Sequence, residues 1–278
     1  MFKQLLAAVA VAALCPWPGT PALAAQEPPP KAGAAPVATV HVPYVRDPVD
    51  KSYRKMIQGM DRFQRDRATY APDAQLRFRL LPRLPNAKME GITLRVAGDT
   101  ITLPVILAAD NSFTLERNEL ALRQDAAVVA NRKSASMTWR AWVQTPGLPP
   151  GTRRLGDLRL ECRVGMDSGL ISNTSPIFAW LTNALTDTEE TCSSPDGNYL
   201  FFAERPVFSV ILRHGERREA LPFKMLYAGG NETRASLPYC DCQVLLDRSY
   251  YAPLWDKSWP DDTLIEFDYM EQPAGAPP

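Results

Sequence analysis

Between residues 47 and 66 the apolar side chains Val49, Tyr53, Met56, Met60 and Phe63 recur at intervals of three or four, which keeps them on one face of a helix. Asp47 stands where a cap accepts hydrogen bonds from the free amides of a first turn, and Pro48 suits the first helical position. The opposite face carries Lys51, Arg54, Lys55, Asp61, Arg62 and Arg65. Acids at 50, 61 and 66 break up its positive charge, so the pattern predicts an amphipathic helix packed on its own domain rather than laid on lipid headgroups.

From Leu76 the period drops to two. Leu76, Phe78 and Leu80 alternate with Arg77 and Arg79, and Ile92, Leu94 and Val96 alternate with Thr93 and Arg95, as strands with one buried face require. Runs at Ile101–Leu107, Ala126–Ala130, Met137–Val143 and Leu158–Val164 continue the series, punctuated by turn pairs such as Gly98-Asp99, Asp110-Asn111 and Pro146-Gly147. Short, evenly spaced strands predict a mainly β fold, a β-sandwich. After Gly165 the pattern breaks. Ser175 as cap, Pro176, and Ile177, Trp180, Leu181, Ala184 and Leu185 predict one helix. Strand-like stretches follow at Tyr199–Ala203, Val207–Arg213, Arg217–Leu221, Cys240–Leu246 and Thr263–Tyr269, with a His214-Gly215 turn. The division expected is a helix-plus-sandwich domain over 47–165 and a smaller β-rich lobe containing one helix over 166–278.

Residues 1–25 read as a secretory signal peptide: a basic start at Lys3, an apolar run from Leu5 to Leu14, and small residues around Ala22–Ala25 at the cleavage spacing. Pro16, Pro18 and Pro21 interrupt that run before it reaches spanning length, and Cys15 follows Leu14 rather than the small residue that precedes a lipidated cysteine. The mature chain is therefore expected in a bacterial periplasm, with secretion or a lipid anchor as the alternatives, and without a transmembrane segment. Residues 26–46, rich in Pro and Ala, hold too few apolar groups to order themselves and read as a disordered leader. Composition adds two limits. The chain of 278 residues is 45% hydrophobic, enough for a core, and its 26 prolines lean it toward turns and β structure. Lys+Arg and Asp+Glu both number 31, so nothing steers it toward nucleic acid.

Asp110-Asn111-Ser112-Phe113-Thr114-Leu115 and Asp196-Gly197-Asn198-Tyr199-Leu200-Phe201 share a grammar: a polar turn pair, a small polar residue, an aromatic, then alternation into a strand. Together with Leu155-Gly156-Asp157-Leu158-Arg159-Leu160, placed as a late strand, this resembles the carboxypeptidase-regulatory-like, transthyretin-like domains of exported bacterial proteins. The chain departs from that pattern in lacking a tight glycine after Asp110. The resemblance implies a transthyretin-like or immunoglobulin-like sandwich that binds or spaces, without catalytic residues of its own.

Removing Cys15 with the signal leaves Cys162, Cys192, Cys240 and Cys242, an even number in an oxidising compartment, which favours two disulfides. Cys240 and Cys242 share a strand face and point the same way, so each is expected to bond to Cys162 or Cys192, in an order left open. No metal site is expected, since His41 and His214 lie far apart, and no cofactor motif is present.

Candidate chemistry is thin. Ser52-Tyr53-Arg54-Lys55 fits a Ser-x-x-Lys acyl-enzyme pattern without its companion motifs, and Ser168 falls one place late for a Gly-x-Ser-x-Gly elbow. No catalytic residue is assigned. Asp256, Asp261, Asp262 and Glu266 crowd near Trp255, Trp259 and Tyr269, a mix that sugar sites use for stacking and acid/base work. On Met137–Val143, Trp139 faces with Met137 and Val143 while Trp142 faces opposite, so one of the pair is expected to be exposed or covered by the amino-terminal helix. Two functions follow: a non-enzymatic envelope protein binding another envelope protein or a glycan through Trp142 or the Trp255–Asp262 segment, or a periplasmic carbohydrate-active or other hydrolase using the carboxy-terminal acids.

Overall fold

The computed structural model describes residues 51–84, 86–132, 136–170, 187–195, 199–230 and 244–270, which lie in one compact unit spanning Pro43–Pro278. The fold is mainly β, and every strand pair is antiparallel. Strand β1 (Lys51–Ser52) runs directly into helix α1 (Tyr53–Tyr70). The helix thus opens at Tyr53, not near Asp47, and its cap is the Ser52 side chain, which accepts from the Lys55 amide. Its buried face carries Tyr53, Met56, Ile57, Gly59 and Phe63.

Two sheets flank that face. One has the order β1-β6-β3-β4, built from β3 (Leu94–Ala97), β4 (Thr102–Val105) and β6 (Ala127–Ala130) beside β1. The other has the order β5-β2-β7, with β2 (Gln75–Pro82), β5 (Ser112–Phe113) and β7 (Met137–Gln144). Phe78, Leu80, Leu94, Val96, Phe113, Val128 and Trp139 fill a common core with α1. Asn111 turns the chain into β5 at φ 60, in the left-handed region that asparagine tolerates.

The largest departure from the sequence reading lies at Leu155–Asp167. After the short helix α2 (Glu119–Arg123), this stretch is a helix, α3, not a strand, so the proposed late strand at 155–160 is absent and the apolar run Leu158–Val164 winds instead of extending. Alternation misleads here because polar and apolar residues are both buried. Every residue from Leu155 to Met166 lies inside the protein; Asp157, Arg159 and Glu161 each find a buried partner, and Arg163 reaches out to Glu189 and the Ser193 hydroxyl. Gly156 allows the close approach this requires: a Cβ there would sit 2.1 Å from the Tyr70 carbonyl oxygen.

Strands that follow α3 join β8 (Thr152–Arg154), which immediately precedes it, in a sheet of order β11-β10-β13-β8, with β10 (Val207–His214), β11 (Arg217–Ala220) and β13 (Leu264–Tyr269). A two-stranded pair, β9 (Phe201–Phe202) with β12 (Ser249–Tyr250), lies beside it. Leu158, Cys162, Tyr199, Val210, Leu212, Tyr250, Trp259 and Ile265 share its core. The expected division at 165/166 falls at the end of α3, whose Leu158 and Cys162 serve this core while Leu160 and Val164 pack with Phe63, Ala141 and Val143. Strand Cys240–Leu246 is also revised where it is described, because Leu246 begins a 3-10 turn, Leu246–Arg248. The predicted helix around 175–185, the leader and signal, and Cys240 and Cys242 lie outside the described residues.

Cys162 and Cys192 are bonded to each other, with Cα atoms 5.9 Å apart, which corrects the expectation that each joins Cys240 or Cys242. Helicity is again the reason. On α3, Cys162 faces the short helix Thr188–Ser193, and both sulfurs are buried. No helix among the described residues is long and apolar enough to cross a membrane.

Candidate functional site

The carboxy-terminal acids and tryptophans come together, but as structural pairs. Arg159, buried on α3, donates to the carbonyls of Leu254, Asp256 and Trp259 and, at 2.6 Å, to the Asp261 carboxylate. One guanidinium therefore fastens the whole 254–261 loop to the helix. Asp256 accepts from the Ser258 amide at 2.9 Å, and the Ser258 hydroxyl and amide hold its pKa below the ordinary carboxylate value. Asp262 lies 3.4 Å from His214, and Glu266 pairs with Arg213 on the neighbouring strand. Trp259 is buried, with the Arg217 guanidinium 3.5 Å from its ring centre, while Trp255 is half-buried. Each acid thus answers to a different group: Asp256 to Ser258, Asp261 to Arg159, Asp262 to His214 and Glu266 to Arg213.

The Ser52–Lys55 pattern resolves in the same way: the Ser52 oxygen is occupied as the cap of α1. Among the described residues no cluster of three or more His, Cys, Asp or Glu is placed to hold a metal.

Trp142 stands in a different setting. Register decides which groups surround it: on β2 and β7, Arg77 lies directly opposite Trp142 and Arg79 opposite Arg140, so these four project from the face of the sheet away from Phe78, Leu80 and Trp139, a face on which Arg140 is buried while Arg77, Arg79 and Trp142 are half-buried. The Arg79 guanidinium lies 5.0 Å and that of Arg153, from β8, 4.2 Å from the Trp142 ring centre. Indole Nε1 donates to Gln144 at 3.0 Å. Arg77 Nε donates to the Ser112 hydroxyl at 2.7 Å, and its terminal nitrogens carry no bond to another described residue. Arg79 is held loosely: Nε reaches the Asp110 carbonyl at 3.3 Å, and Nη1 lies 4.0 Å from Glu204. Next to Glu204, Arg205 lies 4.1 Å over Tyr269, whose ring stacks on Phe267. The result is a half-buried patch in which Arg79 and Arg205 lie over aromatic rings, with Arg153 buried against the Trp142 ring beneath it.

Below this surface the charges are committed. Arg153 pairs with Glu161 at 2.7 Å, both almost fully buried. Burial alone pulls the Arg153 pKa down, but Glu161 and its other neighbours outweigh that and hold it above the ordinary guanidinium value. The Tyr250 hydroxyl feels both members of the pair without reaching hydrogen-bond geometry, and burial raises its pKa. Burial likewise pushes Tyr199 up to about 12. The Arg140 guanidinium stacks over Tyr199 and Phe202 and donates to the Leu200 carbonyl.

Sequence reading found Trp142 but missed Arg77, Arg79 and Arg153 as its companions. The alternation of Arg77 and Arg79 was visible; the register that sets them beside Trp142 and the return of β8 beneath it were not. No protein-family model, curated protein or solved structure matches this chain.

Proposed function

We propose that this chain is a non-enzymatic, exported protein of the bacterial envelope, a transthyretin-like or immunoglobulin-like sandwich that binds a partner through the face around Trp142. The observation that carries the reading is the partly exposed Arg79 guanidinium over the half-buried Trp142 ring, with Arg153 buried against the same ring and Arg77 opposite it on β2. Tryptophan, tyrosine and arginine are the residues that most often supply binding energy at protein surfaces. The buried Cys162–Cys192 bridge supports export, because such bonds persist in oxidising compartments. Engagement of Asp261 and Glu266 by Arg159 and Arg213 favours binding over the hydrolase alternative. The test is a pull-down from envelope extract with the mature chain and with Trp142→Ala, each checked by thermal melting. The expected result is a partner retained by the native chain and lost by a variant that stays folded. If alanine at Asp256, Asp261 or Asp262 removes biological activity without lowering the melting temperature, the hydrolase replaces this reading. Amino-terminal sequencing of periplasmic material is expected to begin at Ala25 or Gln26.

A further inference from the structure

We infer that the partner of the Trp142 face is an acidic segment of a protein, whose carboxylates take the place of Glu204 on Arg79. The inference rests on the binding reading and narrows it. A sugar is recognised by laying its ring on an open aromatic face, and the ring faces here carry other groups: Arg79 and Arg153 lie over Trp142, and Arg205 and Phe267 over Tyr269. What the surface offers an incoming molecule is the edges of the partly exposed Arg77 and Arg79 guanidinium groups, which donate to carboxylates with a planar, two-pronged fit, while Arg153 stays buried with Glu161.

Depth selects between the sources of carboxylate. The Arg79 side chain is only 17% exposed, so a carboxyl fixed directly on a sugar ring is held off by the ring, whereas an Asp or Glu carboxyl reaches in on its own stem. The chain already contains such a reach: Glu204, itself 61% exposed, extends toward Arg79 and stops at 4.0 Å. That separation is at the outer limit of an ion pair, so Glu204 is readily displaced. The remaining charges on this face are accounted for. Asp110 faces Arg77 and Arg79 but is held by the Ser112 amide and hydroxyl, and Glu161 belongs to Arg153. Arg77 keeps its terminal nitrogens uncommitted among the described residues.

The experiment titrates the mature chain into a fluorescently labelled polyglutamate peptide and reads anisotropy, with oligogalacturonate and its carboxyl-reduced, neutral form as competitors. Polyglutamate is expected to bind, more weakly as salt rises. Arg77→Ala combined with Arg79→Ala is expected to weaken it by about tenfold or more, and Glu204→Gln to strengthen it. The inference is overturned if polyglutamate does not bind, if the double arginine variant binds equally well, or if oligogalacturonate competes as effectively as unlabelled peptide. Should polyglutamate fail while envelope extract still yields a partner lost in Trp142→Ala, the acidic-segment inference falls and the binding reading stands. If that pull-down is also empty, both fall.

Discussion

At the scale of single residues, a guanidinium counts for much or little according to its depth. Arg159 is buried and makes four hydrogen bonds to one loop, so Arg159→Ala leaves several carbonyls and the Asp261 carboxylate without a donor. We expect a loss of about 3–5 kcal/mol in urea unfolding. Arg213→Ala, which breaks a partly exposed pair with Glu266, is expected to cost less than about 1 kcal/mol. Similar losses for the two variants would refute this account of the loop. Asp157 gives a pH test. Burial raises its pKa in the folded protein although the Thr145 amide and hydroxyl partly offset that, so its charged form is disfavoured relative to the unfolded chain. The sign follows: stability from this group rises as pH falls through the raised pKa and is lower at neutral pH. Compared with Asp157→Asn, the native protein should gain relative stability on acidification from neutral pH, and a difference independent of pH between the two would contradict it.

At the scale of elements, α3 substitutes for a strand. Glu161 accepts from the Val143 amide at 3.0 Å and Asp157 from the Thr145 amide at 2.9 Å, along the edge of β7 that β2 leaves free. The geometry matches because four residues of helix rise about 6 Å while two residues of strand advance about 6.6 Å. Carboxylates at positions 157 and 161 thus fall beside alternate amides of the strand and protect an edge that could otherwise pair with another chain. The junction of α1 with α3 depends on close approach at Gly156, so Gly156→Ala should destabilise by about 1–3 kcal/mol or more, as overpacking does, while helix propensity alone favours alanine. A stabilised Gly156→Ala protein would show that the contact with Tyr70 is not as tight as described. Ser52→Ala, which removes the cap of α1, is expected to cost about 0.5–2 kcal/mol and to leave partner binding intact, as is Lys55→Ala.

At the scale of the molecule, the Cys162–Cys192 bond ties the buried helix to a segment 30 residues along the chain. Closing a loop of that size restricts the unfolded chain by about 3–4 kcal/mol. Reduction, or Cys162→Ala with Cys192→Ala, should therefore lower the melting temperature clearly while leaving the native fold reachable. Peptide mapping without reductant should recover residues 162 and 192 in one linked fragment; a bond from either to Cys240 or Cys242 would refute the assignment.

The strand pattern through residues 76–143 and the opposite facing of Trp139 and Trp142 were legible in the sequence, because successive strand residues point to opposite faces; that β7 is buried on both faces up to Trp142 was not. Export was read from the same sequence as an expectation. Tertiary structure alone decided the three features on which the site depends. Leu155–Asp167 became a helix because its charged residues are buried with partners drawn from up to 102 positions away, so alternation of polar and apolar residues no longer marked an exposed face. Cys162 chose Cys192 because helicity turned it toward the Thr188–Ser193 helix. Arg77, Arg79 and Arg153 gathered on Trp142 because the register of β2 with β7 and the return of β8 are set by contacts between distant segments, which a local pattern does not encode.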